Sequence, residues 1–305
     1  MRPVALFFVA LAPFALACSG EPSRPRSSEA LTVSGRQYFL KIPAGYDGSD
    51  PRPLVIAIHG YGTSAEYLEG YFGLDPLADA RGFFVVYPEG TIDASGRRFF
   101  SATDACCDFY GTGVDDVRFL STLLDELEAT YAIDPARVFV VGHSNGGFMG
   151  YRLACDLSSR IAAVVSLSGA MWKDPARCRP TSDVSILEVH GTDDAIILPQ
   201  GGYEVDGHSG RVYPTLEETV SSWAGFDACA NDGQPGPDPG HIDAETTLPA
   251  SVTRWGTDAD VELWKISGGT HVPRLTSAWA PAIVDFLMAH PKVAVDPDEG
   301  PDGGS

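Results

Sequence analysis

The sequence predicts a single-domain α/β protein built on a doubly wound, mostly parallel β-sheet with helices on both faces. Short apolar runs alternate with helical patterns along the chain, and most of these runs are continuous rather than alternately apolar and polar. A continuous run indicates a strand that is buried on both faces, which is typical of a parallel sheet. The alternation of strand and helix indicates right-handed crossovers between parallel strands. The 305 residues show no internal repeat and no second core region, so one domain is expected.

Six runs rich in β-branched and aromatic residues predict the strands, at 54–59, 83–87, 138–141, 162–167, 185–190 and 261–266. The clearest helix follows Asp115 and Asp116, because apolar residues then recur at steps of three and four, at Val117, Leu120, Leu124, Leu127 and Tyr131. The two aspartates suit a helix N-terminus, where the helix dipole attracts negative charge. Three more helices are predicted over 146–155, 216–224 and 280–290.

The first residues of the chain are typical of an export signal. Arg2 precedes an uncharged run over 4–17 that is too short to span a bilayer. Cleavage after Ala15-Leu16-Ala17 would release the protein outside the cell, whereas cleavage before Cys18 and lipidation of that cysteine would anchor it to a membrane. We favour the lipid anchor. The predicted organisation is a signal peptide at 1–17, a polar tether at 18–30, the globular domain at 31–292 and a disordered acidic tail at 293–305.

The charge balance excludes several classes of partner. The chain has 41 acidic and 21 basic side chains, which gives a net charge of −20. Such a field repels polyanions, so we expect neither nucleic acid nor anionic lipid headgroups as a ligand.

Six cysteines, at 18, 106, 107, 155, 178 and 229, suit an oxidising compartment. They contain no C-x-x-C spacing, so neither a zinc ribbon nor a thioredoxin-type site is indicated. Cys106 and Cys107 are adjacent and would be strained if bonded to each other, so we expect each to bond to Cys155 or Cys178, in either pairing. Cys229 would then be left over.

The sequence Gly142-His143-Ser144-Asn145-Gly146 predicts a nucleophilic serine. This G-x-S-x-G string directly follows a predicted strand and directly precedes a predicted helix, which is the setting of a nucleophile elbow. The glycines allow a tight turn that exposes the Ser144 hydroxyl at the edge of the sheet. The alternative is a glycine-rich loop without chemistry.

A serine needs a histidine base, and the histidine needs a carboxylate to orient it. On this kind of fold the chain order is serine, acid, histidine, each after a strand. His271 satisfies the order because it follows the last predicted strand on a short turn, while His59, His143 and His190 come too early. His208 and His241 lie in loops without a preceding strand, and His290 ends the last helix. Asp193 and Asp194 follow the strand at 185–190, and one of them should be the acid.

Acyl transfer also requires donors for the developing oxyanion. The backbone N–H of Asn145, directly after the serine, should be one donor. The loop after the first core strand, His59-Gly60-Tyr61-Gly62, should supply the other from the N–H of Tyr61, which makes His59 a structural residue.

From Gly35 to Lys292 these residues resemble the secreted esterases of the polyhydroxybutyrate depolymerase and feruloyl esterase type, within the α/β-hydrolase superfamily. The motifs that carry the resemblance stand in the same order: Ile42-Pro43-Ala44-Gly45-Tyr46, Ile58-His59-Gly60-Tyr61-Gly62, Tyr87-Pro88-Glu89-Gly90, Gly113-Val114-Asp115-Asp116-Val117, the motif around Ser144 with Tyr151-Arg152-Leu153-Ala154-Cys155, His190-Gly191-Thr192-Asp193-Asp194, and Gly268-Gly269-Thr270-His271. The family pattern H-G-T-x-D implies that Asp194 is the acid.

The chain departs from this family at two positions. Relatives often carry a further cysteine near Trp255-Gly256-Thr257, and its absence here leaves Cys229 without that partner. Many relatives also place a tryptophan shortly after the histidine, whereas this chain has Val272-Pro273, which leaves the substrate preference open.

The resemblance implies an exported serine carboxylesterase that acts through an acyl-enzyme on feruloyl-polysaccharide or short polyhydroxyalkanoate esters. Phe99, Phe100 and Trp172 are expected to line the substrate pocket, and Phe148 to pack in the core. No cofactor and no metal are expected. The alternatives are a lipase, deacetylase or peptidase on the same fold, or a non-catalytic anchored binding protein. A calcium site at Asp104, Asp108, Asp115 and Asp116 is a further alternative.

Overall fold

The computed structural model describes residues 30–203, 211–229, 232–256 and 260–292. The predicted signal peptide, nearly all of the tether with Cys18, and the predicted acidic tail lie outside the described residues. Within them, no helix is both long enough and apolar enough to cross a membrane.

The described residues form fourteen strands, six α-helices and a short 3₁₀ helix at Pro175–Arg177. The strands are β1 Leu31–Val33, β2 Arg36–Lys41, β3 Arg52–Ile58, β4 Phe84–Pro88, β5 Thr91–Ile92, β6 Arg98–Phe99, β7 Ile133–His143, β8 Ala163–Leu167, β9 Ser185–Gly191, β10 Gly202–Tyr203, β11 Val212–Tyr213, β12 Gln234–Pro235, β13 Ser251–Trp255 and β14 Val261–Ile266. The helices are α1 Ala65–Phe72, α2 Asp75–Arg81, α3 Asp116–Thr130, α4 Asn145–Asp156, α5 Leu216–Phe226 and α6 Trp279–Ala289.

Ten strands form the central sheet, in the order β1-β2-β4-β3-β7-β8-β9-β14-β13-β12. The six middle strands, from β4 to β14, are parallel, and they are the six strands that the sequence predicts. The outer pairs are antiparallel. The predicted doubly wound, mostly parallel sheet is therefore confirmed.

The sheet has a separate apolar core on each face. Alternate residues of β7 point to opposite cores, with Val138 and Val140 on one side and Phe139 and Val141 on the other. Helices α3, α4 and α5 cover the first face, and α1, α2 and α6 cover the second. Burial on both faces explains why the strands are continuously apolar in sequence.

The chain passes from β3 outward to β4 and then returns to place β7 on the other side of β3. At this reversal the loops after β3 and β7 leave the same edge of the sheet in opposite directions. Such a switch point, at the carboxyl ends of parallel strands, is where open α/β sheets bind ligands. It brings the loop with Tyr61 beside the loop with Ser144: a Cβ built at Gly60 would lie 3.4 Å from the Ser144 Cβ.

The predicted disulfide pairing is wrong. Cys106 bonds to Cys107 across a cis peptide bond, with their Cα atoms 3.0 Å apart, and Cys155 bonds to Cys178. The prediction failed because it took the strain of a bond between adjacent cysteines to exclude that bond. Cys229 is unpaired, as expected, and its Sγ would lie 3.2 Å from a Cβ built at Gly256. The missing cysteine of the family pattern therefore falls beside Cys229.

Candidate active site

Ser144 lies at a sharp turn between the end of β7 and the start of α4. Its backbone has φ 54° and ψ −117°, and its N–H donates to the Leu167 carbonyl oxygen at 2.8 Å. The turn brings backbone segments so close that a Cβ on Gly146 would lie 1.9 Å from the Ile58 oxygen, and one on Gly142 would lie 2.1 Å from the Gly146 oxygen. Both glycines are therefore required by the close approach of backbone. The predicted strand, turn and helix are all present.

His271 lies between Ser144 and Asp194. The Ser144 Oγ–H donates to His271 Nε2 at 2.9 Å, and His271 Nδ1–H donates to Asp194 Oδ2 at 2.8 Å. The ionised carboxylate can only accept, so it fixes the proton on Nδ1 and leaves Nε2 free to accept the proton of the serine. The three predicted residues come from the ends of three different strands, β7, β9 and β14.

Of the two neighbouring aspartates, Asp194 is the one directed inward. It is 3% exposed, and its Oδ1 accepts the N–H groups of Ile196 and Ile197 at 2.8 and 2.9 Å. Burial alone would raise the pKa of Asp194, but hydrogen bonds from His190 and His271 outweigh burial and hold the pKa well below its usual range. Asp194 is therefore an anion at neutral pH. Asp193 is exposed.

The two N–H groups expected to hold the oxyanion, those of Tyr61 and Asn145, donate to no residue within the described ranges. The loop that holds Tyr61 is fixed by the bond from Gly62 N–H to the Arg98 oxygen at 2.8 Å and by the Tyr61 hydroxyl, which donates to Asp93 at 2.6 Å. Asn145 is the first residue of α4. Tyr61 thus follows a glycine that lies close to Ser144, and Asn145 follows Ser144 directly.

The side chain of Asn145 has a role that sequence reasoning missed. Its Oδ1 accepts the Phe100 N–H and its Nδ2 donates to the Phe100 oxygen, both at 2.8 Å. Nδ2 also lies 3.5 Å from Cys106 Sγ. The amide thus fastens the turn of Ser144 to the segment that carries the Cys106–Cys107 disulfide. An asparagine after the serine offered no signal for this contact.

The three aromatic residues predicted to line the substrate pocket are buried in the core. Phe99 and Phe100 are 0% exposed, so they belong to the core and have no surface to line a pocket. Phe148 is also in the core, as expected. Trp172 is 4% exposed and belongs to the core, and the guanidinium carbon of Arg152 lies 5.4 Å from its ring centre. It too has almost no surface with which to line a pocket.

A cavity of about 350 Å³ lies beside these loops, and Arg152, Cys106 and Phe109 are among its lining residues. The Phe109 ring is 5.1 Å from the Tyr61 ring, measured between centroids. Two of its lining residues thus contact the loops of the site, Phe109 through the Tyr61 ring and Cys106 through the Asn145 amide.

Two further histidines near the site are structural. His143 donates from Nε2 to the His271 carbonyl oxygen at 2.9 Å and so supports the loop that carries His271. Burial, with the nearby His271 ring, lowers the pKa of His143 to about 4, so it is neutral. His59 accepts the Gly90 N–H at Nε2, 3.0 Å away, as its predicted structural role requires.

The four aspartates of the calcium alternative have separate protein partners. Asp115 caps α3 through the Arg118 N–H, and Asp116 pairs with Arg36. Asp108 accepts from Thr112 and Gly113, and Asp104 pairs with Arg177. Within the described ranges, no group of three or more acidic, histidine or cysteine side chains is arranged to hold a metal ion.

Residues 36–222 match the family described as "Esterase PHB depolymerase". The chain belongs to this esterase family. The match includes Ser144 and Asp194 but ends before His271. The resemblance predicted from the sequence motifs is therefore confirmed.

Among curated relatives of this family member, feruloyl esterase C of Emericella nidulans is 30% identical over 177 residues, 56% of this chain and 59% of the relative. The bifunctional acetylxylan esterase/xylanase XynS20E of Neocallimastix patriciarum is 32% identical over 165 residues, 54% of this chain and 22% of the relative. The chain thus spans less than two thirds of the length of these relatives.

Solved structures support the fold. An acetyl xylan esterase from Aspergillus awamori superposes with a TM-score of 0.63 at 18% identity, covering 83% of this chain and 94% of that one. A ferulic acid esterase of Anaeromyces mucronatus gives 0.53 at 16% identity, covering 86% and 89%. The family member therefore has the α/β-hydrolase fold that the sequence predicts.

Proposed function

We propose that the protein is a serine carboxylesterase that forms an acyl-enzyme on Ser144. The observation that carries the proposal is the continuous hydrogen-bonded series from Ser144 through His271 to Asp194. The family and the named activities of the relatives support the same reaction class.

In the first step His271 Nε2 takes the proton of Ser144 as its Oγ attacks the ester carbonyl. The carbonyl oxygen becomes an oxyanion, which the N–H groups of Tyr61 and Asn145 hold. Asp194 stabilises the imidazolium that forms on His271. His271 then returns the proton to the leaving alcohol, and the acyl group remains on Ser144.

The second step repeats this chemistry with water. His271 removes a proton from water, the hydroxide attacks the acyl-enzyme, and the proton passes to Ser144 as the acid leaves. All the groups required belong to the chain, so the reaction as proposed uses no cofactor.

For the substrate we propose a hydroxycinnamoyl ester of a polysaccharide or a short hydroxyalkanoate ester. A relative named for feruloyl esters supports the first. A relative and a structural neighbour named for acetyl xylan make acetyl esters the second candidate. The cavity lined by Cys106 and Phe109 is our candidate for the acyl group, because these two residues contact the side chains of Asn145 and Tyr61, whose N–H groups are the proposed oxyanion donors.

We also propose that the protein acts outside the cytoplasm, attached by lipid on Cys18 or released after Ala17. The support is the sequence of the first eighteen residues. Intact-mass analysis of membrane and soluble fractions tests this proposal. An unmodified Cys18 at the start of a wholly soluble mature chain would refute the anchor.

The activity is tested with one purified preparation against p-nitrophenyl acetate, p-nitrophenyl butyrate, methyl ferulate, acetylated xylan and a polyhydroxybutyrate film. We expect burst kinetics with a p-nitrophenyl ester and turnover of methyl ferulate or the film. Turnover of acetylated xylan alone would favour acetyl esters as the substrate. If folded protein cleaves none of these, the non-catalytic binding protein becomes the better interpretation.

A further inference from the structure

A second histidine, His190, lies behind Asp194 at the end of β9. It is 2% exposed, and both of its ring nitrogens have close neighbours. Nδ1 lies 3.0 Å from Glu188 Oε1, while Nε2 lies 2.8 Å from the Ile197 carbonyl oxygen and 3.3 Å from Asp194 Oδ2. The oxygen of Asp194 that faces His190 is the same one that binds His271. Asp194 Oδ2 is therefore held between two imidazole rings.

The surroundings of His190 determine its protonation. The two neighbours of Nε2 can only accept, so Nε2 carries a proton. Nδ1 faces the Glu188 carboxyl, which is 0% exposed and accepts the Tyr151 hydroxyl at 3.0 Å through its other oxygen. Burial raises the pKa of Glu188, and hydrogen bonds from His190 and Tyr151 oppose that rise. Opposite an ionised Glu188, Nδ1 also carries a proton, which makes His190 an imidazolium. Burial lowers the pKa of His190, but hydrogen bonds to Asp194 and Glu188 outweigh burial and raise the pKa above its ordinary value.

The other titratable groups around this cluster are neutral. Burial raises the pKa of Tyr151 on α4 and of Tyr213 on β11, and burial lowers that of His143 on β7. The charged groups of this cluster are therefore Glu188, His190 and Asp194. The cation lies between the two anions and touches each of them.

We propose that His190, held by Glu188, is a positioning residue that keeps Asp194 ionised and directed at Nδ1 of His271. This inference rests on the proposed function, because it assigns a support to that same site. Without the imidazolium, no positive charge would lie against Asp194, and the buried carboxylate would keep only the neutral donors of Ile196, Ile197 and His271. A buried carboxylate without an opposite charge tends to take up a proton. A protonated Asp194 could not stabilise the imidazolium that forms on His271 during the reaction.

The proposal is distinct from a packing role. A buried ion pair that only fills space would affect the melting temperature and leave the chemical step alone. A pair that controls the charge of Asp194 affects kcat and the pH dependence of the reaction. His190 is positive and lies closer to Asp194 and His271 than the negative Glu188 does. Removing the pair therefore removes more positive than negative potential at these two residues, which makes their protonation easier, so the acid limb of the kcat/KM profile should move to higher pH.

The test compares purified full-chain variants on p-nitrophenyl butyrate across a range of pH. Glu188→Gln/His190→Gln removes the pair together, so no lone charge is buried. We expect kcat to fall about 10- to 100-fold with KM within about twofold, and the acid limb to rise by roughly half a pH unit or more. A folded double variant with kcat within about twofold of the wild type and an unmoved acid limb would overturn the proposal.

Glu262→Gln is the matched control. Glu262 is 2% exposed on the neighbouring strand β14, where it binds Arg254 and the Trp264 indole N–H, each at 2.7 Å. Its loss should lower the melting temperature without moving the pH profile. A shift of the profile in this variant equal to that in the double variant would show that any buried carboxylate has the effect, which would also overturn the proposal.

A further test uses only the wild-type protein, so its result does not depend on whether a variant folds. Nitrogen-15 spectra of histidine-labelled protein at mildly alkaline pH should contain one histidine with both ring nitrogens protonated. Absence of such a histidine would overturn the proposal. This readout is independent of activity, so a wild type that cleaves no ester would contradict the proposed function while the protonation of His190 is still measured.

Discussion

The two neighbouring aspartates after β9 differ in every contact that matters to the site. Asp194 receives the His271 Nδ1–H, whereas Asp193 is exposed and lies 3.3 Å from the Thr192 hydroxyl. We expect Asp194→Asn to lower kcat/KM by about 10³-fold or more, because an amide nitrogen opposite Nδ1 would favour the wrong tautomer of His271. Asp193→Asn should change kcat/KM by less than about twofold. Steady-state kcat/KM values of the two variants, with circular dichroism as the folding control, test this prediction. A larger loss in Asp193→Asn than in Asp194→Asn would assign the acid to Asp193.

Asp227, at the end of α5, predicts a pH-dependent stability. Burial and the negative charges of Asp183 and Asp260 raise the pKa of Asp227 to about 7, and weak hydrogen bonding from Val184 and Trp223 only partly opposes that rise. The unfolded chain releases this proton near pH 4, so between about pH 4 and 7 the folded state binds more protons and stability falls as the pH rises.

We therefore expect Asp227→Asn to stabilise the protein by about 1 to 3 kcal/mol at pH 8 and by much less at pH 4. Denaturant unfolding at both values measures the difference. An equal effect at the two pH values would show that the ionisation of Asp227 is not its cause.

Among single residues, the sequence predicts those that are marked by their order along the chain and by a preceding strand. Ser144, Asp194 and His271 each follow a recognisable strand in the expected order, and the structure brings them together. The Cys106–Cys107 bond could not be predicted, because nothing in the sequence shows that this peptide is cis. Chain order excludes His190 as the base. Its contact with Asp194 could not be predicted, because that contact depends on the path of the loop after β9.

Among the elements, the turn from β7 into α4 tolerates the least change. A Cβ at Gly146 would lie within 1.9 Å of the Ile58 oxygen, so strand or helix would have to move. We expect Gly146→Ala to cost about 3 kcal/mol or more and to lower kcat by more than about tenfold, because Ser144 would move with the turn.

Gly70 in α1 is the matched control for this substitution. A Cβ there meets nothing within 4 Å, so Gly70→Ala should stabilise the protein by about 0.5 to 1 kcal/mol through helix propensity and leave kcat unchanged. Thermal unfolding and p-nitrophenyl ester assays measure both variants. If the two alanines behaved alike, close approach of backbone would not be the reason for Gly146.

The sequence predicts best the parallel strands, which are buried on both faces, and the longer helices. The six parallel strands and the helices α3, α4, α5 and α6 lie within a few residues of their predicted positions. The helices α1 and α2, of eight and seven residues, are too short for their periodicity to stand out. The outer antiparallel strands β1 and β2 have mixed exposure and no continuous apolar run.

For the molecule as a whole, the net charge of −20 predicts which polymers it can approach. A ferulate ester on a neutral arabinoxylan fragment should be cleaved at a rate that hardly depends on salt. The same ester on a galacturonate-rich fragment should be cleaved severalfold faster as ionic strength rises from about 0.01 to 0.5 M, because screening shortens the range of the repulsion. Ratios of kcat/KM at the two salt concentrations provide the measurement. A falling rate on the anionic fragment would mean that a local cationic surface governs its binding.

The position of β14 has a consequence for how the molecule acquires its activity. His271 is 127 residues from Ser144 and 77 from Asp194, and it reaches them only when β14 has paired with β9. Contacts so distant along the chain carry a high loop-closure cost and form slowly. During refolding, helices and local turns can therefore regain their circular dichroism while the protein still cleaves nothing. The recovery of ester hydrolysis then measures how fast the most distant strand pairing around the site is completed.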